Sequence, residues 1–158
     1  MKILFVDDEA FYMQPYVNAF KATPDVMDVA EINTADEAIN KIRANTGSGE
    51  YDCLVLDVMM PPPSGWEART EDGKYTGAEV LKECLDDIAA VELPVLLLSN
   101  LGFDLVNRRV SVLALAKNMV RVCSKNLTPP PDAKLIVREL VAVRISRLNA
   151  PIKLSTAK

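Results

Sequence analysis

Short apolar runs punctuate this chain, and each ends on polar residues. Ile3-Leu4-Phe5-Val6 runs into Asp7-Asp8-Glu9, and Cys53-Leu54-Val55-Leu56 runs into Asp57. Pro94-Val95-Leu96-Leu97-Leu98 closes on Ser99, and Met119-Val120-Arg121-Val122-Cys123-Ser124 leads to Lys125. Continuous apolar runs of this length predict strands buried in a parallel sheet. With a further signal near 27–32, strands are expected at 2–7, 27–32, 52–57, 94–99 and 119–124. The stretches between them have helical spacing, predicting helices over 10–21, 35–45, 76–89, 104–117 and 132–148. Thr34 or Asp36 is placed to cap the second helix, and Asp132 to sit in the first turn of the last. Pro15 should kink the first helix or limit its start. Pro61-Pro62-Pro63 and Pro129-Pro130-Pro131 predict stiff, extended loops. Strict alternation of strand and helix predicts a doubly wound parallel α/β sheet, with right-handed crossovers placing helices on both faces.

That architecture gives the polar run-ends a meaning. In an open α/β sheet, ligands bind beyond the carboxyl ends of the strands. Asp7, Asp8, Asp57, Ser99 and Lys125 should all lie on that one edge. Three carboxylates gathered there repel one another, and hard oxygen ligands of this kind point to Mg²⁺.

Composition narrows the chemistry. The 158 residues suit one domain, and 49% hydrophobic with 25% charged residues is a globular balance. No apolar run approaches the ~20 residues that span a bilayer, and acids follow the N-terminal apolar stretch at once. The expectation is a cytoplasmic protein without membrane insertion. Three scattered cysteines, Cys53, Cys84 and Cys123, form neither a disulfide framework nor a zinc motif and read as small core residues, two in buried strands and one on a helix. Histidine is absent, which excludes His-assisted nucleophiles, His-ligated metals and a phosphohistidine carrier. Phosphoryl chemistry here would have to use a carboxylate. The net charge of −4 divides unevenly. Residues 1–80 carry 15 acids and 6 bases, whereas 81–158 carry 7 acids and 12 bases. The basic half suggests an interaction face but is too weakly basic to indicate direct nucleic-acid binding.

At this point the chain resembles the receiver domain of bacterial response regulators. The resemblance rests on Val6-Asp7-Asp8-Glu9, Leu56-Asp57-Val58-Met59-Met60-Pro61, Gly77-Ala78-Glu79-Val80-Leu81, Pro94 through Ser99, and Lys125, in order along residues 1–148. It implies a flavodoxin-like sheet of strand order 2-1-3-4-5. It implies that Asp57 accepts a phosphoryl group and binds Mg²⁺ with Asp8 and the backbone carbonyl of Met59, while Asp7 holds a metal-bound water. Lys125 would pair with the phosphoryl group, and Ser99 would hydrogen-bond it and shift when Asp57 is modified. The phosphoryl group would come from a phosphohistidine on a histidine kinase or phosphotransfer protein, with hydrolysis as the reset, so the only catalysis would be on Asp57 itself. No output domain is expected after residue 148, only a short polar tail over 149–158. Output would then pass through a protein partner or a homodimer formed by the 104–148 face, where both the fourth and the last helix look more apolar than one buried face requires. The last helix reads as two stripes, Ile136, Leu140, Val143 and Val137, Val141, Ile145, Leu148, with Arg108, Arg109, Arg121 and Arg144 at the rim.

Departures from the family define the alternative. An insert, 62–76, delays the expected glycine; Gly77 is preferred to Gly65 because an amphipathic helix starts there. The insert reads either as a partner-reading lid anchored by Trp66 or as a tolerated surface loop. Asn100 stands where the family has a small residue, Asn126 where it has proline, and Val122 where it often has an aromatic. A cis bond after Lys125 is therefore not expected, and any switch must use backbone or helix movement. The alternative reading is a degenerate receiver, a phosphate-independent interaction module. An aspartate-nucleophile phosphatase is disfavoured by Met59 in place of a second acid, and a dinucleotide enzyme by the lack of a Gly-rich turn after the first strand.

Overall fold

A computed structural model describes residues 1–111 and 118–150. Five strands form one parallel sheet: β1 (Lys2–Val6), β2 (Asp28–Ile32), β3 (Cys53–Asp57), β4 (Val95–Ser99) and β5 (Val120–Ser124). Their spatial order is β2-β1-β3-β4-β5. The helices are α1 (Ala10–Lys21), α2 (Ala35–Ser48), α3 (Glu67–Thr70), α4 (Thr76–Glu83), α5 (Leu85–Ala90), α6 (Phe103–Val110) and α7 (Pro130–Leu148). This is the doubly wound arrangement expected from the sequence, with the flavodoxin-like strand order that the resemblance implied.

Strand alternation divides the interior in two. Leu4, Val6, Leu54, Leu56, Val95 and Leu97 face a core closed by α2, α4, α5 and α6. Ile3, Phe5, Cys53, Val55, Leu96 and Leu98 face a second core closed by α1 and α7. β1, β3 and β4 are buried on both faces, which is why they read as unbroken apolar runs. Burying one such side chain contributes roughly 1.5–3 kcal/mol. β5 pairs only with β4 and is half-buried, so Cys123 is a partly exposed edge residue rather than a core one, while Cys53 and Cys84 are buried.

Local chemistry sets the element ends. Thr34 caps α2, its hydroxyl accepting from the Glu37 amide at 3.3 Å, and Gly49 ends the helix in the left-handed region at φ 59°. α1 continues through Pro15. Three expectations change. The helix foreseen over 76–89 is two helices that break at the buried Cys84. Pro130 and Pro131 begin α7 instead of extending the loop, because first-turn amides have no helical acceptor and proline gives up nothing there. The two stripes on α7 merge into one buried face of Ala133, Val137, Leu140 and Val141, leaving Leu135, Ile145 and Leu148 exposed. The end of the fourth predicted helix, 112–117, and the tail beyond Ala150 lie outside the described residues. No helix among the described residues is long and apolar enough to cross a membrane.

Candidate functional site

The carboxyl ends of β1, β3 and β5 bring four of the five candidate side chains into contact. Asp7 follows β1, its amide donating to the Ile32 carbonyl at 3.0 Å, and Asp57 is the last residue of β3. Both are almost fully buried, and carboxylate oxygens of Asp7, Asp8 and Asp57 lie within 4.8 Å of one another. The Lys125 ammonium sits between two of them, 2.8 Å from Asp7 Oδ2 and 2.9 Å from Asp57 Oδ2. The other oxygen of each acid accepts from a backbone amide two residues on, Glu9 N at 2.9 Å and Met59 N at 3.3 Å. These local turns fix both carboxylates in place. Asp8 Oδ1 is buried with no hydrogen-bond partner.

The charges are poorly balanced. Burial pushes the Asp57 carboxyl up to about 6, against the pull of the Lys125 charge and hydrogen bond. Burial also raises Asp8, with the neighbouring Asp7 and Glu9 charges adding to it. Burial alone would lower Lys125, yet the two carboxylates outweigh that and hold it raised. One cation thus serves three acids. An orphaned oxygen on Asp8 amid three hard oxygen donors fits a divalent cation such as Mg²⁺.

Ser99 occupies the end of β4 beside this cluster, but its hydroxyl is engaged elsewhere. It accepts from the Leu101 amide at 2.9 Å, just before α6. Its carbonyl accepts from the Lys125 amide at 2.9 Å, which ties the β4 and β5 ends together. An open cleft of about 640 Å³ leads from Asp8 past Met59, Met60 and Pro61 to Asp72, Gly73 and Lys74.

No family model matches the sequence, and no curated protein matches it. Solved structures do match in fold. A CheY-like response regulator receiver domain protein from Methanospirillum hungatei JF-1 superposes with a TM-score of 0.67 at 16% identity, covering 92% of this chain and 97% of that one. The signal receiver domain of an HD domain-containing protein from Pseudomonas fluorescens Pf-5 gives 0.66 at 15% identity, covering 92% and 97%. The receiver domain of the histidine kinase CKI1 from Arabidopsis thaliana, complexed with Mg²⁺ and BeF3−, gives 0.62 at 16% identity, covering 89% of each. The chain has the receiver-domain fold.

Within this receiver fold the insert is a folded strap. Met60 accepts from the Thr76 hydroxyl at 2.7 Å and donates to the Gly73 carbonyl at 3.2 Å, so the last turn of the insert folds back onto the residue just ahead of Pro61. Thr70 is fully buried and bonds the Trp66 and Glu67 carbonyls. Trp66 is not an exposed anchor. It packs against the core, and the Arg69 guanidinium covers its ring at 3.7 Å. Arg69 also reaches Glu79 (3.3 Å) and Glu83 (3.4 Å) on α4. Arg109 on α6 pairs with Glu71 of the insert, lies 3.5 Å from Glu79, and stacks on Tyr75 at 4.0 Å.

Other departures have structural counterparts. The one cis peptide among the described residues is Thr23-Pro24, so the bond after Lys125 is trans. Asn100 is exposed. Of the four rim arginines, Arg109 is spent on the strap, and Arg144 bonds the Val91 carbonyl at 3.0 Å; Arg108 and Arg121 are exposed. Sequence reasoning missed Tyr16. Its hydroxyl donates to the Thr128 carbonyl at 3.0 Å and approaches the Lys125 carbonyl at 3.3 Å. The available signal was a phenol on the apolar face of α1 with Met13, Val17 and Phe20, since a buried tyrosine hydroxyl needs a partner.

Proposed function

We propose that this chain is a phosphoacceptor receiver over residues 1–148 in a two-component or phosphorelay pathway. The observation that carries the reading is the contact of the buried Asp57 carboxylate with Lys125 inside a cluster of three acids. An Asp57 oxygen would attack the phosphorus of a phosphohistidine on a kinase or phosphotransfer protein. The P–O bond forms, the P–N bond breaks, and the electron pair leaves on the imidazole nitrogen. Asp8, Asp57 and the Met59 carbonyl would hold Mg²⁺, with Asp7 on a bound water. Mg²⁺, when bound, supplies neutralising charge to the transferring phosphoryl oxygens. Lys125 would then move its charge from the free carboxylate to the phosphoryl group, and Ser99 would turn its hydroxyl there from the Leu101 amide. Attack of water on phosphorus would break the bond from phosphorus to the Asp57 oxygen, releasing inorganic phosphate and returning the carboxylate.

Intact mass after incubation with Mg²⁺ and acetyl phosphate, beside an Asp57→Ala control, tests this. A gain of one phosphoryl group that needs both Mg²⁺ and Asp57 is expected. No gain from acetyl phosphate or from kinase donors, together with no Mg²⁺ binding, would leave the phosphate-independent interaction module.

Output would pass to a protein partner or a second copy through the 104–148 face. Among the described residues, Leu105 on α6, Leu127 in the loop after β5, and Leu135, Ile145 and Leu148 on α7 are exposed large apolar residues there, with Phe103 next to them at the start of α6. A cytoplasmic location is consistent with this role.

A further inference from the structure

Two chains of contacts leave the acid cluster and meet at Arg109. One runs from Asp57 through the backbone of Met60, which the insert grips through Gly73 and Thr76. The insert then passes beneath Arg109, which donates to the Arg69 carbonyl at 3.4 Å, pairs with Glu71 and stacks on Tyr75. The other runs from the Ser99 hydroxyl to the Leu101 amide and into α6, which begins at Phe103 and carries Arg109 in its last turn. Between the two routes lies Glu79, a nearly buried acid on α4 that faces both Arg69 and Arg109.

The Ser99 hydroxyl is held by the Leu101 amide two residues before α6 begins, so any turn of that hydroxyl toward Asp57 must be accommodated by residues 100–102 and by α6. Arg109 is the residue that fastens the far end of that helix to the insert. We propose that Arg109 is a positioning residue: it clamps α6 to the insert in the unphosphorylated protein, keeps the Ser99 hydroxyl on the Leu101 amide, and so lowers the affinity of the acid cluster for a phosphoryl group. This rests on the phosphoacceptor reading of Asp57. A contact made in only one of two states shifts their balance, and ligand affinity shifts by the same factor.

Beryllofluoride, a phosphoryl mimic, binds without a donor protein and can be titrated in Mg²⁺ by 19F NMR against wild type, Arg109→Gln and Glu71→Gln. Glu71 is half exposed on the insert, so its variant opens the same clamp with little risk to folding. Both variants should bind beryllofluoride at least about fivefold more tightly, the lower end of ordinary coupling between sites. A purely structural brace would lower the unfolding midpoint and leave affinity unchanged. Unchanged or weaker binding in either folded variant, with wild type binding normally, overturns the clamp and leaves the phosphoacceptor reading standing. No binding by wild type overturns both.

Discussion

A Cβ atom on Gly77 would lie 2.0 Å from the carbonyl oxygen of Asp57. The start of α4 presses directly on the end of β3, and the Gly77 amide donates to the Val58 carbonyl at 3.0 Å. Gly65, the other candidate for the family's glycine, sits at φ 83° with open space around it. Gly77→Ala must therefore displace backbone beside Asp57, costing ~3 kcal/mol or more and weakening Mg²⁺ binding. Gly65→Ala should cost ~1–2 kcal/mol of left-handed strain and leave Mg²⁺ affinity alone. Urea unfolding and Mg²⁺ titration of the two variants separate these effects.

The Asp57 carboxyl, raised to about 6 by burial, titrates later in the folded chain than in the unfolded one. The folded state therefore binds the extra proton. Stability from this group is fully present below the ordinary carboxyl value of 3.8 and is lost as pH rises through about 6. Metal-free Asp57→Asn should accordingly be more stable than wild type above that window, by on the order of 1–3 kcal/mol, and the gap should close toward about pH 4. Mg²⁺ affinity of the wild type should fall as pH drops below about 6. Urea midpoints across pH, with and without EDTA, measure both.

Lys125→Met strands Asp7 and Asp57 without their shared cation. Removing one member of a buried ionic cluster costs about 3–5 kcal/mol when the rest stay charged, and protonation of Asp57 should relieve part of that. The variant should be destabilised in EDTA and recover much of the loss in Mg²⁺. An equal deficit in both buffers would contradict the charge argument.

Tyr16→Phe removes the hydroxyl that holds the loop after Lys125. A loss of about 1 kcal/mol is expected for the hydrogen bond. Faster amide exchange should appear at Leu127 and Thr128, whose amides now donate to the Ser124 carbonyl, and not at α2. Hydrogen exchange resolves the two regions.

The sheet was legible because its signals are local. An apolar run that ends in Asp57 states the strand and the carboxylate at its end, and the other strand ends followed. The register that joins Asp7 to Lys125, 118 positions away, came only through topology. What escaped depends on partners remote in sequence. Nothing near Tyr16 announces Thr128, 112 residues on. The strap was unreadable for a similar reason: Trp66 looked like an exposed anchor, but it packs against the core and Arg69 covers its ring. Cys84 interrupts a helix whose apolar spacing continues unbroken through it, so periodicity could not reveal the break.

Two cores on opposite faces of one sheet also guard the accuracy of strand pairing. β3 pairs Leu56 with Val6 and Asp57 with Leu98. A slip by one residue would exchange Leu54 and Leu56 for Cys53 and Val55 between the cores and turn Asp57 to the wrong side of the sheet. Leucine and cysteine differ too much in volume for either interior to accept the swap. The misaligned chain that would lose its acid cluster is thus also the one that cannot pack, so selection for a filled interior screens out molecules with a misassembled site.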